Sequence, residues 1–462
     1  MPGFYPQCLV LLSLATSMAA AAPWQDESST RIPQDLAAGS SMDIALADLD
    51  RDGDLDLILA KEFFPNQLLR NEGDFRFAAI PGAFGSRNED SEDIALGDYD
   101  KDGDLDVVFV SEDSSGNQYF RNNGSGVFTA AVGALPGNTT SNAVQAGDLD
   151  RDGDLDLVIS RNSARELVLL NAGGAFTDAS TTWMPDVIDT TQDLKLVDID
   201  GDLDLDLVAG NEAVGGGRNR LYANQGNRFT DVSTAQLPSA GFAENTRKVS
   251  VADVDRDGDP DLYFANADGS ADSPTGNRLL INNGQGVFSD QSAARLPVFR
   301  HTSMDAEFTD FDGDGDLDLF VADFSRALKA LRNDGQGRFS DATAAVLGSV
   351  AEPRSSIGLL TFETPEARFL FDAGYNDVDR LLRQPKTLRL DSRYTGAFYN
   401  PAQNGHGFQF YVLENQIALT WFTFDTDGST RWVVAQGPIP AEGVATATLA
   451  AFPGQGHGVR HL

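Results

Sequence analysis

The sequence predicts an all-β fold, and three observations carry that prediction. A nine-residue phrase, D-h-D-x-D-G-D-x-D with h apolar, returns with starts at 48, 98, 148, 198, 253 and 310, spaced 50 to 57 residues apart. Each copy runs into a β-rich apolar stretch, such as Leu55 to Ala60 or Leu105 to Val110. A third strand and an Asn-Gly hairpin turn follow, as in Asn66-Gln67-Leu68-Leu69-Arg70-Asn71 and Asn123-Gly124. Four short strands per repeat match a propeller blade, so the expected architecture is a seven-bladed β-propeller followed by a small antiparallel β domain.

The phrase itself calls for a cation. Its first copy places Asp48, Asp50, Asp52, Asp54 and Asp56 within nine residues. The others place Asp98, Asp100, Asp102, Asp104, Asp106; Asp148, Asp150, Asp152, Asp154, Asp156; Asp253, Asp255, Asp257, Asp259, Asp261; and Asp310, Asp312, Asp314, Asp316, Asp318. One close pair of like charges costs about 4 kcal/mol at an effective dielectric near 20. Calcium answers this repulsion because it takes 6–8 hard oxygen ligands in irregular geometry. Side chains at positions 1, 3, 5 and 9 and the carbonyl at position 7 can supply them, with glycine at position 6 for the turn. An EF-hand opens the same way but needs Glu at position 12, where this chain has Leu59, Phe109, Ile159, Phe264 and Val321. The loop therefore joins two strands.

A sixth, variant copy holds Asp198, Asp200, Asp202, Asp204 and Asp206. Its glycine, Gly201, has moved to position 4, and Leu203 occupies position 6. Holding an L-residue in a left-handed turn costs roughly 1–2 kcal/mol, so this is expected to be the weakest of up to six Ca2+ sites.

A seventh unit lies after Val350, where Leu370 aligned on Leu319 puts Thr361, Glu363, Pro365, Ala367 and Phe369 in place of the aspartates. Its strands survive and its cage does not. An aromatic-x-Asp pattern marks the fourth strands (Phe176, Phe229, Phe288, Phe339) and recurs at Trp24-Gln25-Asp26. That orphan strand is a candidate for the outer edge of the seventh blade, and Lys386 to Leu390 competes for the same edge.

In these residues the chain resembles the FG-GAP/VCBS repeat family, the integrin α-subunit type of propeller, over about Trp24 to Asp391. The resemblance implies seven blades with calcium in hairpin loops, on a scaffold used for adhesion, for protein or carbohydrate binding, and occasionally for enzymes. Fold alone therefore leaves function open. Residues 392–462 form a separate aromatic-rich β module, with Tyr394 to Pro401, Asn404 to Phe408, Trp421 to Asp425 and Trp432. It looks like a C-terminal module of secreted bacterial proteins and breaks off in Gly454 to Leu462.

The net charge of −36 argues against nucleic acid and anionic membranes as partners. Residues 1–22 read as a signal segment, with an apolar core at Leu9 to Leu14 and small residues at Ala15 to Ala22, although no Lys or Arg precedes the core. Its removal also removes Cys8, the single cysteine, and leaves an extracytoplasmic chain with no transmembrane segment. The mature body is then 23–391.

No catalytic constellation accompanies the loops. His301, placed near the channel mouth, and His406, between glycines, stand apart from any ligand pair. Five residues before each loop stand Asp43, Asp93, Ala143, Asp193, Lys248, Asp305 and, in the seventh unit, Ser356. They are expected to ring the channel, either as solvated polar residues or as a seat for a cation or basic group. Inserts at Asp268 to Thr275 and Gly215 to Gly217 are candidate recognition loops. The reading is a secreted calcium-binding scaffold for a protein or carbohydrate partner. A calcium-dependent polysaccharide lyase or phosphoesterase is the competing hypothesis, and it requires an open coordination position beside a base.

Overall fold

A computed structural model describes residues 23–33, 40–112, 116–137, 140–212, 218–238, 244–267, 276–298 and 302–386, and the backbone of five later strands. The signal segment, both candidate recognition loops and all four histidines lie outside the described residues. No helix among those described is long and apolar enough to cross a membrane.

The chain divides into two units, and Pro23–Pro385 is the larger. The strand pairings within it make seven four-stranded antiparallel units. Blade 1 comprises Ser40–Ala47, Asp56–Phe64, Gln67–Asn71 and Phe77–Ile80, and blade 2 Glu89–Gly97, Asp106–Ser111, Gln118–Arg121 and Thr129–Ala130. Blade 3 runs from Val144–Gly147 to Thr177–Asp178, blade 4 from Asp189–Val197 to Phe229–Asp231, and blade 5 from Thr246–Ala252 to Phe288–Asp290. Blade 6 runs from Ser303–Thr309 to Phe339–Asp341. Blade 7 takes three strands from Ser356–Glu363, Ala367–Gly374 and Arg380–Pro385, and its fourth is Gln25–Asp26.

Each first strand packs against the next around the sequence, and Ser356–Glu363 returns to pack on Ser40–Ala47. That closed circuit of inner strands makes the unit a β-propeller. The second strands explain how it is held. In Leu57-Ile58-Leu59-Ala60 every side chain is buried, because each blade has a neighbour on both faces. Seven apolar clusters result, each at a seam between adjacent blades; the seam between blades 6 and 7, for example, gathers Phe311, Phe320, Leu370 and Trp24.

Closure of the ring is settled by the amino-terminal strand. Gln25 pairs with Arg383 and Asp26 with Leu382, leaving Lys386 outside the sheet. Trp24 meets Phe320 edge-on at 5.5 Å. The aromatic-x-Asp pattern extends to a Ser or Thr two residues further on. Asp178, Asp231 and Asp290 accept the backbone N–H of Ser180, Ser233 and Ser292, and those hydroxyls accept N–H groups of the third strands. Asp26 does the same for Ser28, whose Oγ accepts Leu381 N–H at 2.9 Å.

One sequence alignment needs correction. The hairpin of blade 7 pairs Phe362 with Phe369, where blade 6 pairs Thr309 with Asp318, so its loop is shorter by two residues. Gly358, not Ser356, therefore stands where Asp43 and Asp305 stand, and a Cβ on Gly358 would lie 3.0 Å from Met42 O.

The second unit contains five strands, Gly396–Tyr399, Gly407–Leu413, Gln416–Phe424, Thr430–Pro438 and Thr448–Pro453, paired in sequence order as an antiparallel meander. The expected boundary at 391/392 falls outside the described residues.

Candidate metal centres

All six aspartate phrases fold into one kind of loop between the first and second strands. The carboxylate at position 1 accepts the N–H of position 6: Asp48 from Gly53, Asp98 from Gly103, Asp148 from Gly153, Asp198 from Leu203, Asp253 from Gly258 and Asp310 from Gly315, at 3.0–3.2 Å. Position 5 accepts the N–H of position 7 throughout, as in Asp52 to Asp54 and Asp314 to Asp316. These bonds curl the chain so that carboxylates converge. Oxygens of Asp48, Asp50 and Asp52 lie within 4.8 Å of one another, as do those of Asp98, Asp100 and Asp102, of Asp148, Asp150 and Asp156, and of Asp198, Asp200 and Asp206.

Position 9 has a second duty. Asp56, Asp106, Asp156, Asp206, Asp261 and Asp318 are buried, and each accepts the N–H of the asparagine ending its blade's third strand: Asn71, Asn122, Asn171, Asn224, Asn282 and Asn333. Burial first, with neighbouring carboxylates adding to it, pushes these acids up, to about 6 for Asp56 and Asp156, about 7 for Asp206 and Asp261 and about 8 for Asp318. Asp150, Asp200, Asp257 and Asp312 are raised for the same reasons. The loop thus disfavours its own negative charge in the absence of a cation.

The side chain of position 7, whose carbonyl is the expected ligand, links neighbouring loops. The basic residue at position 4 of one loop reaches the position 7 carboxylate of the next: Arg51 to Asp104, Lys101 to Asp154, Arg151 to Asp204 and Arg256 to Asp316. Asp104 also lies against the turn after the third strand, where a Cβ on Gly124 would sit 2.6 Å from its carboxylate. The third-strand asparagine adds a second link between loops. Asn122 Nδ2 donates to Leu49 O, Asn171 to Tyr99 O, Asn224 to Leu149 O, Asn282 to Ile199 O and Asn333 to Val254 O. Neither link was visible in the sequence, although the regular Arg or Lys at position 4 was a signal.

The variant loop keeps the common path. Leu203 takes φ +72°, as the sequence required, but position 4 is also left-handed in its siblings, at Arg51, Lys101, Arg151 and Arg256. Each of those loops carries one strained L-residue, and so does this one. The strain argument for a weaker site therefore does not separate it from them.

The donor set fits a hard divalent ion. Asp48 Oδ1, Asp98 Oδ1, Asp100 Oδ1 and Asp255 Oδ1 are buried without a hydrogen-bond partner, at positions 1 and 3 where a metal would be held. Oxygen ligands alone, several of them carboxylate, suit calcium.

Of the residues expected to ring the channel, Asp93, Asp193 and Lys248 line a pocket there, and the four acids also reach the neighbouring blade. Asp43 accepts Ile94 N–H, Asp93 accepts Val144 N–H, Asp193 accepts Val249 N–H and Asp305 accepts Leu359 N–H, each from the next inner strand, at 2.6–3.1 Å. Lys248 Nζ lies 3.7 Å from Asp193 and 4.0 Å from Asp43. Burial works against its charge, yet Asp193, Asp305 and Asp43 together hold its pKa well up. These acids bind blades together.

No curated protein matches the chain significantly. Among solved structures, "YCF48 bound to D1 peptide" is similar at 11% identity and a TM-score of 0.48, over 81% of this chain and 100% of that one. At that level it adds nothing to what the sheets show. The FG-GAP-like repeat model matches at residues 98–159, 152–209, 198–264, 253–321 and 310–359. With more than half its length covered by these overlapping repeats and its aspartate loops set between the first two strands of six blades, the chain belongs to the FG-GAP-like repeat family.

Proposed function

We propose that this propeller is an extracytoplasmic scaffold whose six loops bind Ca2+ and whose blade edges present a binding surface to a protein or carbohydrate partner. The observation that carries the calcium reading is the set of buried, partnerless carboxylate oxygens at positions 1 and 3, facing like-charged neighbours. Asp at positions 1, 3, 5 and 9 would hold the ion, which would supply the charge that lets them ionise together. The rest of each loop orients them: the position 6 N–H fixes position 1, and the third-strand asparagine fixes position 9.

Calcium acts here through stability. At free calcium 100-fold above a site's dissociation constant, each occupied site adds about 2.7 kcal/mol to the folded state. Melting of the full chain should therefore shift upward by many degrees on adding calcium and return on chelation. Equal melting temperatures with and without chelator, alongside no bound ion by elemental analysis, would overturn the cages. Glycan and protein arrays probed with the calcium-loaded chain test the binding role.

A further inference from the structure

We propose that the mouth of the central channel binds a cationic group on an aliphatic stem, of the kind carried by an arginine side chain or an alkylguanidine. The inference deepens the scaffold reading by naming a partner chemistry. The feature that builds the site is a one-residue bulge in the inner strands. Pairing with the second strand skips a residue at Met42, Glu92, Gln192, Arg247, Met304 and Ile357. These six residues, with Asn142 at the corresponding place in blade 3, line a single pocket, and Asp93, Asp193 and Lys248 line it as well.

The lining is divided by blade. Met304, Ile357 and Met42 come from blades 6, 7 and 1, which are consecutive around the ring, and form an apolar arc. Glu92, Asn142, Gln192 and Arg247 come from blades 2 to 5 and form a polar arc opposite. A ligand filling the pocket meets hydrocarbon on one side and hydrogen-bonding groups on the other.

Asn142 shows that the polar arc lacks a partner. Its side chain lines the pocket at 6% exposure, and neither Oδ1 nor Nδ2 has a hydrogen bond. A buried amide left in that state is destabilising, so a ligand bearing N–H donors recovers a real loss.

Charge decides the sign. Carboxylate oxygens of Glu92, Asp90 and Glu112 lie within 4.8 Å of one another beside the pocket. Arg247 on the same arc already engages Gln192 at 2.7 Å and Glu212 at 2.9 Å. Lys248, one residue deeper, is held by Asp193 and Asp43. The surplus is negative. A guanidinium supplies donors to Glu92 and to Asn142 Oδ1, while its alkyl stem lies on two methionines and an isoleucine that adapt to a flexible chain. A bare metal ion would use the acids and leave the apolar arc without a role.

Titrating the calcium-saturated full chain with hexylguanidine, hexylurea and hexanoate tests this. Hexylguanidine should bind at one per chain, at least about tenfold more tightly than the neutral or anionic probe, and Glu92→Gln should weaken it about tenfold or more. The methyl NMR signals of Met42 and Met304 in the unaltered chain should shift with the same saturation curve, which keeps the test free of any folding defect in the variant. Equal binding of hexylurea, indifference to Glu92→Gln, or unmoved Met42 and Met304 signals overturns the proposal. Competitive displacement of the guanidine by one additional Ca2+ would also overturn it, in favour of a metal at the mouth. Failure of the calcium cages shows up separately, as unchanged melting on chelation.

Discussion

At the scale of single residues, Glu166 shows how a joint between blades depends on one proton. In blades 1, 2, 4 and 5 the corresponding residue is Asn66, Asn117, Asn219 or Asn277. Each accepts a backbone N–H at the end of its own second strand, from Lys61, Ser111, Asn211 or Asn266, and donates to a hydroxyl on the next inner strand, Ser91, Ser141, Thr246 or Ser303. Blade 3 makes the same joint with a carboxyl, which accepts from Arg161 N at 3.0 Å and Thr191 Oγ1 at 2.6 Å. Burial, as the leading cause, pushes Glu166 up from 4.5 to about 7. Because its folded pKa is raised, its contribution is whole below about pH 4.5 and is lost as pH rises through 7. Glu166→Gln restores the amide used by its sister blades. The expected outcome is a higher melting temperature than the parent chain at pH 8 and no gain at pH 4.5, read by calorimetry across that range.

At the scale of elements, the strand Gln25–Asp26 bears the greatest consequence for its length, since among the described strands it is the one that pairs the beginning of the chain with Arg380–Pro385 of blade 7. Trp24 anchors it in the seam between blades 6 and 7 at 3% exposure. Trp24→Ala leaves a cavity there and should destabilise the propeller by about 3–5 kcal/mol, with hydrogen exchange accelerated first in Arg380–Pro385, the strand that loses its partner. Much of this level could be read from residues alone. The aspartate phrase fixed the loops because five acids in nine residues have few other uses, and Trp24-Gln25-Asp26 announced a displaced fourth strand. Competition from Lys386 to Leu390 could not be resolved, because the deciding bond, Leu381 N–H to Ser28 Oγ, joins residues 353 apart. That Asp43, Asp93, Asp193 and Asp305 also staple the next inner strand is hidden in the sequence for a related reason. A carboxylate that caps the neighbouring strand and one that faces water occupy the same place in a periodic pattern, and only the packing of adjacent blades tells them apart.

At the scale of the whole molecule, the loops form an interlinked series with one gap. Position 4 cations tie loop 1 to 2, 2 to 3, 3 to 4 and 5 to 6, while Gly201 at position 4 of loop 4 offers nothing to Asp259 in loop 5. The seam between blades 4 and 5 keeps the Asn282 bond to Ile199 O but lacks the charged link. Exchanging the two residues, Gly201→Arg together with Leu203→Gly, recreates the phrase of the first copy. It moves the single left-handed L-residue from position 6 to position 4, so backbone strain is unchanged to first order. What is added is one partly exposed ion pair, worth up to about 1 kcal/mol. The double variant should therefore melt slightly above the parent at low salt, and the difference should shrink at 1 M salt, where the Debye length falls to about 3 Å. Gly201→Arg alone puts L-residues at both left-handed positions and should melt below the double variant. If the double variant melts no higher than the parent at low salt, position 4 cations do not couple the loops, and the asparagine bonds alone link them.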